Sequence, residues 1–300
     1  MRKYLPLLLI VLSCNRPSET VPELSRYQFK ETRSLVSFVN EAALKFSLKG
    51  AGAFAEFSKP DSKWFTGLRY IFIYDESGIC IFHPVLQDQV GKNLNEIRDI
   101  SGKPVIQYIH NIAFDSKEHH GWVHYLCAEP GEIFPCWKHA YIMSVKGPDG
   151  RLYAIGSGTY NIRMEMTFVT DIVDSAANLI NQHGKEAFPI LLDPASIFII
   201  NNTSAFVLAL DGRLLVDPAF PTDIGRNVLD FVDYSGNKVI REALERLNKN
   251  DVAFIPYAWP VPGQANPVKK MMYLRKVKCG DEMVIVGSSL YLEEPVWKKF

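Results

Sequence analysis

The chain lacks an excess of charge of either sign, and this absence limits what it can bind. Lysine and arginine number 33 in its 300 residues, aspartate and glutamate also number 33, and no long basic or acidic run occurs. Proteins that bind nucleic acid depend on clustered positive charge, so we expect no nucleic-acid partner. Hydrophobic residues make up 47% of the chain, which is enough for about two domains with sizeable cores.

The residue patterns of enzymes and metal sites are missing as well. The seven histidines and the cysteines after residue 14 show no i,i+4 pairing in a helical pattern and no CxxC spacing. No phosphate-binding glycine loop and no nucleophile elbow occurs. His119, His120 and His124 lie close together in the sequence, but the second half of the chain offers no equivalents. We therefore expect no catalytic residue, no metal ligand and no cofactor.

Long apolar runs are confined to the first residues of the chain. Arg2 and Lys3 precede an apolar stretch over 5–12, and Ser13-Cys14 follow, a pattern typical of a secretion signal too short to span a bilayer. A cysteine directly after a small residue here resembles the lipobox of bacterial lipoproteins, whose cysteine is lipidated and becomes the mature N-terminus. A plain secretory signal with an incidental cysteine is the alternative. No later run reaches about 18 apolar residues, so no second membrane anchor is expected.

We accordingly predict a signal peptide over 1–13, a lipidated Cys14 and a flexible tether over 14–28. The protein would then be exported and anchored by lipid to a bacterial cell membrane, facing the periplasm or the exterior. Asn15, directly after the cysteine, favours the outer membrane under sorting rules that vary among bacteria.

The rest of the chain contains the same pattern twice. Ten residues of the first half recur 134 positions later. The pairs join Gly50, Ala53, Phe54, Pro60, Gly78, Pro84, Gly91, Asn93, Asp99 and Gly102 to Gly184, Ala187, Phe188, Pro194, Gly212, Pro218, Gly225, Asn227, Asp233 and Gly236. Two copies of one domain are therefore expected after the tether, and we call them unit 1 (29–162) and unit 2 (163–300).

The pattern of each unit predicts a helix, two strands, a second helix and three strands. Apolar residues at spacings of three and four predict the first helix, which loses its pattern near Gly50 in unit 1 and Gly184 in unit 2. Runs of β-branched and aromatic residues separated by glycine-containing turns predict the strands. The expected fold is α+β: two consecutive units, each a roughly five-stranded antiparallel sheet with flanking helices and an N-terminal helix.

Two cysteines of unit 1 are candidates for a disulfide. Cys127 and Cys136 flank a loop with proline and glycine between two strand-like runs, so a hairpin would place them opposite each other. Their counterparts in unit 2 are Trp259 and Val268. Export would place both thiols in an oxidising compartment, where disulfides form. A local disulfide and a pair of unpaired buried thiols are both compatible with this pattern.

Taken together, these features give each unit a resemblance to the Cache domain, the PAS-like extracytoplasmic sensor module of bacterial chemoreceptors and sensor kinases. The resemblance covers nearly the whole chain after the tether, twice, and no single motif decides it. The residues that carry it in unit 1 are Gly52-Ala53-Phe54-Ala55-Glu56-Phe57, Tyr70-Ile71-Phe72-Ile73-Tyr74-Asp75, His83-Pro84, Gly91-Lys92-Asn93, Asp99-x-x-Gly102-Lys103-Pro104, Gly121-Trp122-Val123-x-Tyr125, Lys138-x-x-Tyr141 and Gly156-x-Gly158-x-Tyr160.

The resemblance implies a ligand pocket on one face of each sheet, used in this family for small metabolites such as carboxylates, amino acids and amines. The candidate pocket residues are Tyr125, Lys138, Tyr141 and His83 in unit 1, and Tyr257, Trp259, Lys270 and Tyr273 in unit 2. A lysine ammonium beside phenolic hydroxyls offers a carboxylate one opposite charge and neutral donors. Positions three apart in a regular strand point to opposite faces, so Lys138 and Tyr141 share a pocket only across a bulge or at the start of a strand.

The two units differ at positions that matter for binding. His83 becomes Asp217, Trp122 becomes Phe254, and 257–260 lies closer to the family pattern than the matching stretch of unit 1. Unit 2 is therefore the expected ligand binder. Unit 1 is expected to have a structural role or a different ligand.

The expected function is that of a lipid-anchored extracytoplasmic binding protein for a small organic metabolite, a carboxylate or an amino acid. Because no kinase, methyl-accepting helix or cyclase follows unit 2, we expect it to act through a partner such as a membrane receptor or sensor protein. The alternative is an interaction protein that docks onto a membrane receptor or the cell surface without a ligand of its own. An enzyme is not expected.

Overall fold

The computed structural model describes residues 23–260 and 266–292, so the predicted signal peptide, Cys14 and the first part of the tether lie outside it. The helices are α1 (Lys30–Lys49), α2 (Phe54–Phe57), α3 (Val105–His110), α4 (Met166–His183), α5 (Phe188–Leu192) and α6 (Val239–Leu247). The strands are β1 (Phe65–Thr66), β2 (Arg69–Asp75), β3 (Cys80–Phe82), β4 (His120–Ala128), β5 (Pro135–Lys146), β6 (Leu152–Tyr160), β7 (Ile199–Ile200), β8 (Thr203–Ser204), β9 (Phe206–Ala209), β10 (Leu214–Val216), β11 (Val252–Trp259), β12 (Val268–Cys279) and β13 (Glu282–Tyr291).

A long helix begins each unit, as the apolar spacing predicts. The buried residues of α1 include Leu35, Val39 and Phe46, which lie on one face of the helix and pack on the sheet. Burial of one such side chain stabilises the fold by about 1.5–3 kcal/mol. Both α1 and α4 end at a glycine with positive φ, 52° at Gly50 and 58° at Gly184, because a residue without Cβ adopts this conformation at little cost. No helix among the described residues combines the length and apolar character that crossing a bilayer requires.

Each unit has one antiparallel sheet with the same strand order. In unit 1 the order is β3-β2-β6-β5-β4, and the short β1 also pairs with β2. In unit 2 the order is β10-β9-β13-β12-β11, preceded by a two-stranded ribbon of β7 and β8. Helices flanking antiparallel sheets confirm the predicted α+β class.

Both faces of each sheet are buried, and different elements cover them. In unit 1, α1 packs on the face that carries Ile71 and Ile155, which we call the back face. The opposite, front face carries Phe72 and Ile142 and packs against α3. Unit 2 repeats the arrangement, with α4 on its back face and α6 on its front face.

An aspartate turn holds the edge strand of each sheet. The carboxylate of Asp99 accepts hydrogen bonds from Lys103 N through Oδ1 and from Leu126 N of β4 through Oδ2, both at 2.9 Å. In unit 2, Asp233 accepts a hydrogen bond from Ala258 N of β11 at 2.9 Å. These bonds satisfy backbone groups that an edge strand would otherwise leave open to pairing with another chain.

The units contact each other through α4 and through β7. Phe168 of α4 packs against Trp122, with ring centroids 5.0 Å apart. Lys103 is 1% exposed, and its Nζ donates to Ile199 O at 2.6 Å and to His124 O at 3.3 Å. Burial lowers the pKa of Lys103 to about 8. This lysine thereby ties the edge of the first sheet to unit 2.

Candidate ligand-binding sites

A lysine lies on the front face of each sheet between two tyrosines. Lys138 of β5 is paired in register with Tyr125 of β4 and with Tyr160 of β6. Residues directly opposite each other on neighbouring strands share a face, so both phenol rings flank the lysine. The corresponding row of unit 2 consists of Tyr257, Lys270 and Tyr291. The structure therefore brings together the predicted pairs of a lysine and a tyrosine, Lys138 with Tyr125 and Lys270 with Tyr257.

The other two predicted tyrosines, Tyr141 and Tyr273, lie on the back face. The pairing of β5 with both neighbours continues without a register shift from Lys138 to Tyr141, so the two side chains point to opposite sides of the sheet. Tyr141 is fully buried in the core beneath α1. Tyr273 donates from its hydroxyl to Asp174 of α4 at 3.2 Å. Neither tyrosine joins the lysine of its unit, because no bulge interrupts the strand.

The lysine of unit 1 is enclosed. Lys138 is 2% exposed, and its Nζ donates to the hydroxyl of Tyr70 at 2.7 Å. The ammonium also lies over the rings of Tyr70 and Tyr160, 4.5 and 5.0 Å from their centroids. Gly158 leaves room for the Lys138 side chain, because a Cβ at position 158 would lie 2.7 Å from Lys138 Cε. Within the described part of the chain, Lys138 forms no ion pair shorter than 4.0 Å.

The predicted residue His83 lies in the turn after β3, near this lysine. Its Nδ1 accepts hydrogen bonds from the backbone N–H groups of Val85 and Leu86 at 3.3 and 2.9 Å. Burial, helped by the charge of Lys138, lowers the pKa of His83 to about 3. The imidazole is therefore neutral at neutral pH, and Lys138 is not compensated by it.

Asp217 occupies the same turn in unit 2. Its Oδ1 accepts hydrogen bonds from the backbone N–H groups of Ala219 and Phe220 at 2.9 and 3.1 Å. Burial raises the pKa of Asp217, and the charge of Lys270 opposes this effect. The turn thus presents an acid in unit 2 where it presents a neutral base in unit 1.

The lysine of unit 2 lies in a more open, aromatic setting. Lys270 is half-buried, and its Nζ lies 4.6 Å from the ring centroid of Tyr291, 5.8 Å from that of Tyr257 and 5.7 Å from that of Trp259. The predicted aromatic wall, Trp259, therefore does lie beside the lysine. Phe231 packs on Trp259 with ring centroids 5.5 Å apart and extends this wall.

The charges of Lys270 and Asp217 influence each other without forming a contact pair. Burial lowers the pKa of Lys270 to about 8, and the Asp217 carboxylate acts in the opposite direction. Among the residues that the structure describes, no ion pair joins the two within 4.0 Å. A cation and an anion that influence each other without pairing suit a ligand that carries both charges.

The two cysteines predicted to pair lie opposite each other on β4 and β5. Cys127 is in register with Cys136, so the hairpin that the sequence predicts is confirmed. Both thiols are free in the structure, and Cys136 Sγ lies 3.8 Å from Cys127 O. The disulfide itself stays a prediction.

Two cavities lined by described residues lie away from the lysines. One, of about 610 Å³, has Lys185 and Glu282 in its lining, and these form an ion pair at 2.9 Å. The other, of about 480 Å³, lies between the units, and its Arg26 and Asp171 are paired at 2.9 Å. Because these charges already neutralise each other, the lysine rows are the better candidates for binding an anion.

Several residues around the lysines are not among those expected from the sequence. Tyr160 and Tyr291 close the same strand in both units, a recurrence that could have identified them. Tyr70 and Asp217 have no like residue in the other unit, so recurrence gives no signal for them. No group of three or more histidine, cysteine, aspartate or glutamate side chains within 23–260 and 266–292 is arranged to hold a metal ion.

A family model described as Cache domain matches residues 60–295, a range that contains both lysine rows. The chain belongs to the Cache domain family. A double Cache-type domain, as expected from the resemblance, is thereby confirmed. A comparison with curated proteins finds no match.

Solved structures similar to this Cache chain include three sensor domains. The periplasmic sensor domain of a chemotaxis protein is 21% identical, with 44% of this chain and 100% of that chain covered and a TM-score of 0.36. A Cache chemosensory domain studied for carboxylic acid recognition is 23% identical, with 44% and 94% covered and a TM-score of 0.37. The ligand-binding domain of the Pseudomonas fluorescens chemoreceptor CtaA, in complex with L-alanine, is 11% identical, with 86% and 87% covered and a TM-score of 0.28.

Proposed function

We propose that this Cache protein is an exported, lipid-anchored binding protein that captures a small carboxylate or amino-acid-like metabolite in unit 2 and acts through a partner. Its proposed organisation is a signal peptide over 1–13, a tether over 14–28 beginning at the lipidated Cys14, and the two units over 29–162 and 163–300. The anchor would hold it on a bacterial cell membrane, facing the periplasm or the exterior. The partner would be a membrane receptor or sensor protein.

The observation that carries the proposal is the arrangement of Lys270 and Asp217. Both side chains are half-buried, their charges act on each other without a contact pair, and aromatic rings lie beside Lys270. An α-amino acid would place its carboxylate at Lys270 and its ammonium at Asp217, and a plain carboxylate would use Lys270 alone. Trp259 and Tyr291 would line the space for the remaining part of the ligand.

The ligand class follows from these charges, and two solved structures are in keeping with it. One is the Cache chemosensory domain studied for carboxylic acid recognition, and the other is the CtaA domain in complex with L-alanine. Both have TM-scores below 0.5 against this chain, so the proposal rests on the side chains of the chain itself.

The experiment is a thermal-shift and calorimetric screen of the twenty standard L-amino acids and of short mono- and dicarboxylates. Wild type is compared with Lys270→Ala and with Lys269→Ala, the neighbouring exposed lysine on the other face of β12. We expect Lys270→Ala to lower the affinity for the best ligand by about tenfold or more, since a charge-assisted contact of about 1.5–3 kcal/mol is lost. We expect Lys269→Ala to bind as wild type does. Equal binding by both variants would contradict the proposal.

The docking alternative has support from one feature of unit 1. The turn between β4 and β5 exposes two neighbouring apolar side chains, Ile133 at 83% and Phe134 at 78%. Exposed apolar groups side by side are typical of contact surfaces. If the ligand screen gives no hit, co-purification with and without the double substitution Ile133→Ser and Phe134→Ser tests this second function.

A further inference from the structure

The two units place different residues in front of their lysines. Ser157 Oγ donates to Tyr70 O at 2.7 Å in unit 1, and Ser288 Oγ donates to Ser204 O at 2.9 Å in unit 2. These matching bonds to the backbone show that Ser204 stands in unit 2 where Tyr70 stands in unit 1. The side chain of Tyr70 lies on the front face with Phe72. In unit 2, Ala205 belongs to the back-face core and Phe206 packs on the front-face core, and continued alternation before Ala205 puts Ser204 on the front side.

The phenol of Tyr70 fills the space at the ammonium of Lys138. Tyr70 is 4% exposed, and its hydroxyl accepts the hydrogen bond from Nζ at 2.7 Å. Its ring is wedged between His83 and Phe65, with centroids 5.0 and 6.1 Å away. The serine of unit 2 has neither the ring nor the reach to do this.

A second difference sets the path of each lysine. Gly158 leaves room for the Lys138 stem to lie flat across β6 towards Tyr70. Its counterpart in unit 2 is Ser289, whose Oγ accepts a hydrogen bond from the Tyr257 hydroxyl at 2.9 Å. A side chain at this position closes the flat path, in keeping with the place of the Lys270 ammonium over the rings of Tyr291 and Trp259.

We infer that Tyr70 is an internal ligand of unit 1, whose hydroxyl occupies the position at Lys138 that an anionic group of a ligand takes at Lys270. Unit 1 is thereby closed to carboxylates, and binding is restricted to unit 2. The statement about unit 2 rests on the proposed function, whereas the statement about unit 1 does not. Among the described residues, the buried ammonium of Lys138 has a neutral phenol as its hydrogen-bond acceptor and no counter-ion. A true counter-ion would stabilise it, so removal of the phenol opens a carboxylate site.

The test uses the full mature chain with the unit 2 lysine disabled by Lys270→Ala. Acetate and L-alanine are titrated calorimetrically into this variant, into Lys270→Ala with Tyr70→Ser, and into the same double variant with Lys138→Met added. We expect the double variant to bind acetate at least about tenfold more tightly than the single variant, and we expect the addition of Lys138→Met to abolish the gain. A folded double variant that binds acetate no better than Lys270→Ala would overturn the inference.

The reverse substitution keeps the inference testable if Tyr70→Ser does not fold. Ser204→Tyr, made in the wild-type background, should lower the affinity of unit 2 for its best carboxylate or amino acid by about tenfold or more. Unchanged affinity in a folded Ser204→Tyr protein would overturn it. A different result would contradict the proposed function, namely ligand binding by the wild type that does not depend on Lys270. The gain in acetate affinity that we expect for unit 1 does not depend on that result.

Discussion

The side chains of His83 and Asp217 accept hydrogen bonds from the same two backbone positions of their units, two and three residues further along the chain. One is a neutral aromatic base and the other is an acid, yet the turn that they organise is the same. The exchange therefore changes the charge beside the lysine while it leaves the local backbone alone. Unit 1 offers Lys138 with a neutral neighbour, and unit 2 offers Lys270 with a carboxyl group.

Asp217→Asn should separate amino acids from plain carboxylates. Asparagine keeps the Oδ1 acceptor for Ala219 N and Phe220 N but removes the negative charge. We expect the affinity for an amino acid to fall by about tenfold or more, because the ligand ammonium loses its counter-ion. Carboxylates without an amine should bind at least as tightly as before. Calorimetry with a matched pair of ligands, such as L-alanine and propionate, measures both affinities. An equal loss of affinity for the two ligands would contradict the assignment of Asp217 to the ligand ammonium.

Ligand affinity should fall as the pH rises through about 8. Burial lowers the pKa of Lys270 to about 8 in the free protein, and a bound anion would raise it. Binding therefore takes up a proton above pH 8, and the affinity should decrease there by up to about tenfold per pH unit. Calorimetry at several pH values measures the slope. Lys270→Arg is the control, because the arginine stays charged and the ligand affinity of this variant should not change with pH in this range. A wild-type affinity that increases from pH 7 to 9 would refute the account.

His83 should make the fold sensitive to acid. Its pKa is about 3 in the folded protein against 6.5 for the free side chain, so the fold favours the neutral form. This contribution to stability is complete above pH 6.5 and is lost as the pH falls towards 3, by up to about 1.4 kcal/mol per pH unit.

Urea denaturation of His83→Asn at pH 7 and pH 5 checks this sign. Asparagine keeps a side-chain acceptor for the turn but does not titrate, so the free energy of unfolding should change less between the two pH values than in wild type. His183→Asn, at an exposed position at the end of α4, should follow wild type. Identical pH dependence in wild type and His83→Asn would show that His83 does not titrate as described.

Cys127 and Cys136 should form a disulfide when the protein is exported. They lie in register on adjacent strands, and the bond would close a short loop without rearranging the hairpin. Mass spectrometry of non-reduced protein secreted into an oxidising compartment should find the two joined, while the buried Cys80 and Cys279 remain thiols. Alkylation of both Cys127 and Cys136 without prior reduction would disprove the pairing.

The longer elements of the fold could be predicted, and the shortest could not. The apolar stripes of α1 and α4 and the strand runs of β4 to β6 are long enough for their periodicity to show. The shortest elements have too few residues for a period to show, and neighbouring elements hold them in place. They are the two-residue strands β1, β7 and β8 and the short helices α2 and α5. The sequence therefore does not predict these short elements.

The same limit applies to the sites. Lys138 and Lys270 could be found because a lysine recurs beside a tyrosine in both units. The contact between Lys138 and Tyr70 spans 68 positions and depends on how β2, β6 and β5 are ordered, which no local pattern encodes. Conversely, Tyr141 recurs as Tyr273 because both units need a large aromatic residue beneath the first helix. Recurrence alone does not distinguish a ligand contact from a core contact.

The most direct test of the central claim is a crystal structure of the protein with the tightest ligand from the screen. The account predicts density on the front face of unit 2, with the ligand carboxylate within about 3 Å of Lys270 Nζ and any ligand ammonium at Asp217. Unit 1 should show Tyr70 still bound to Lys138. Density for the ligand in the cavity between the units instead, with Lys270 uninvolved, would contradict the account.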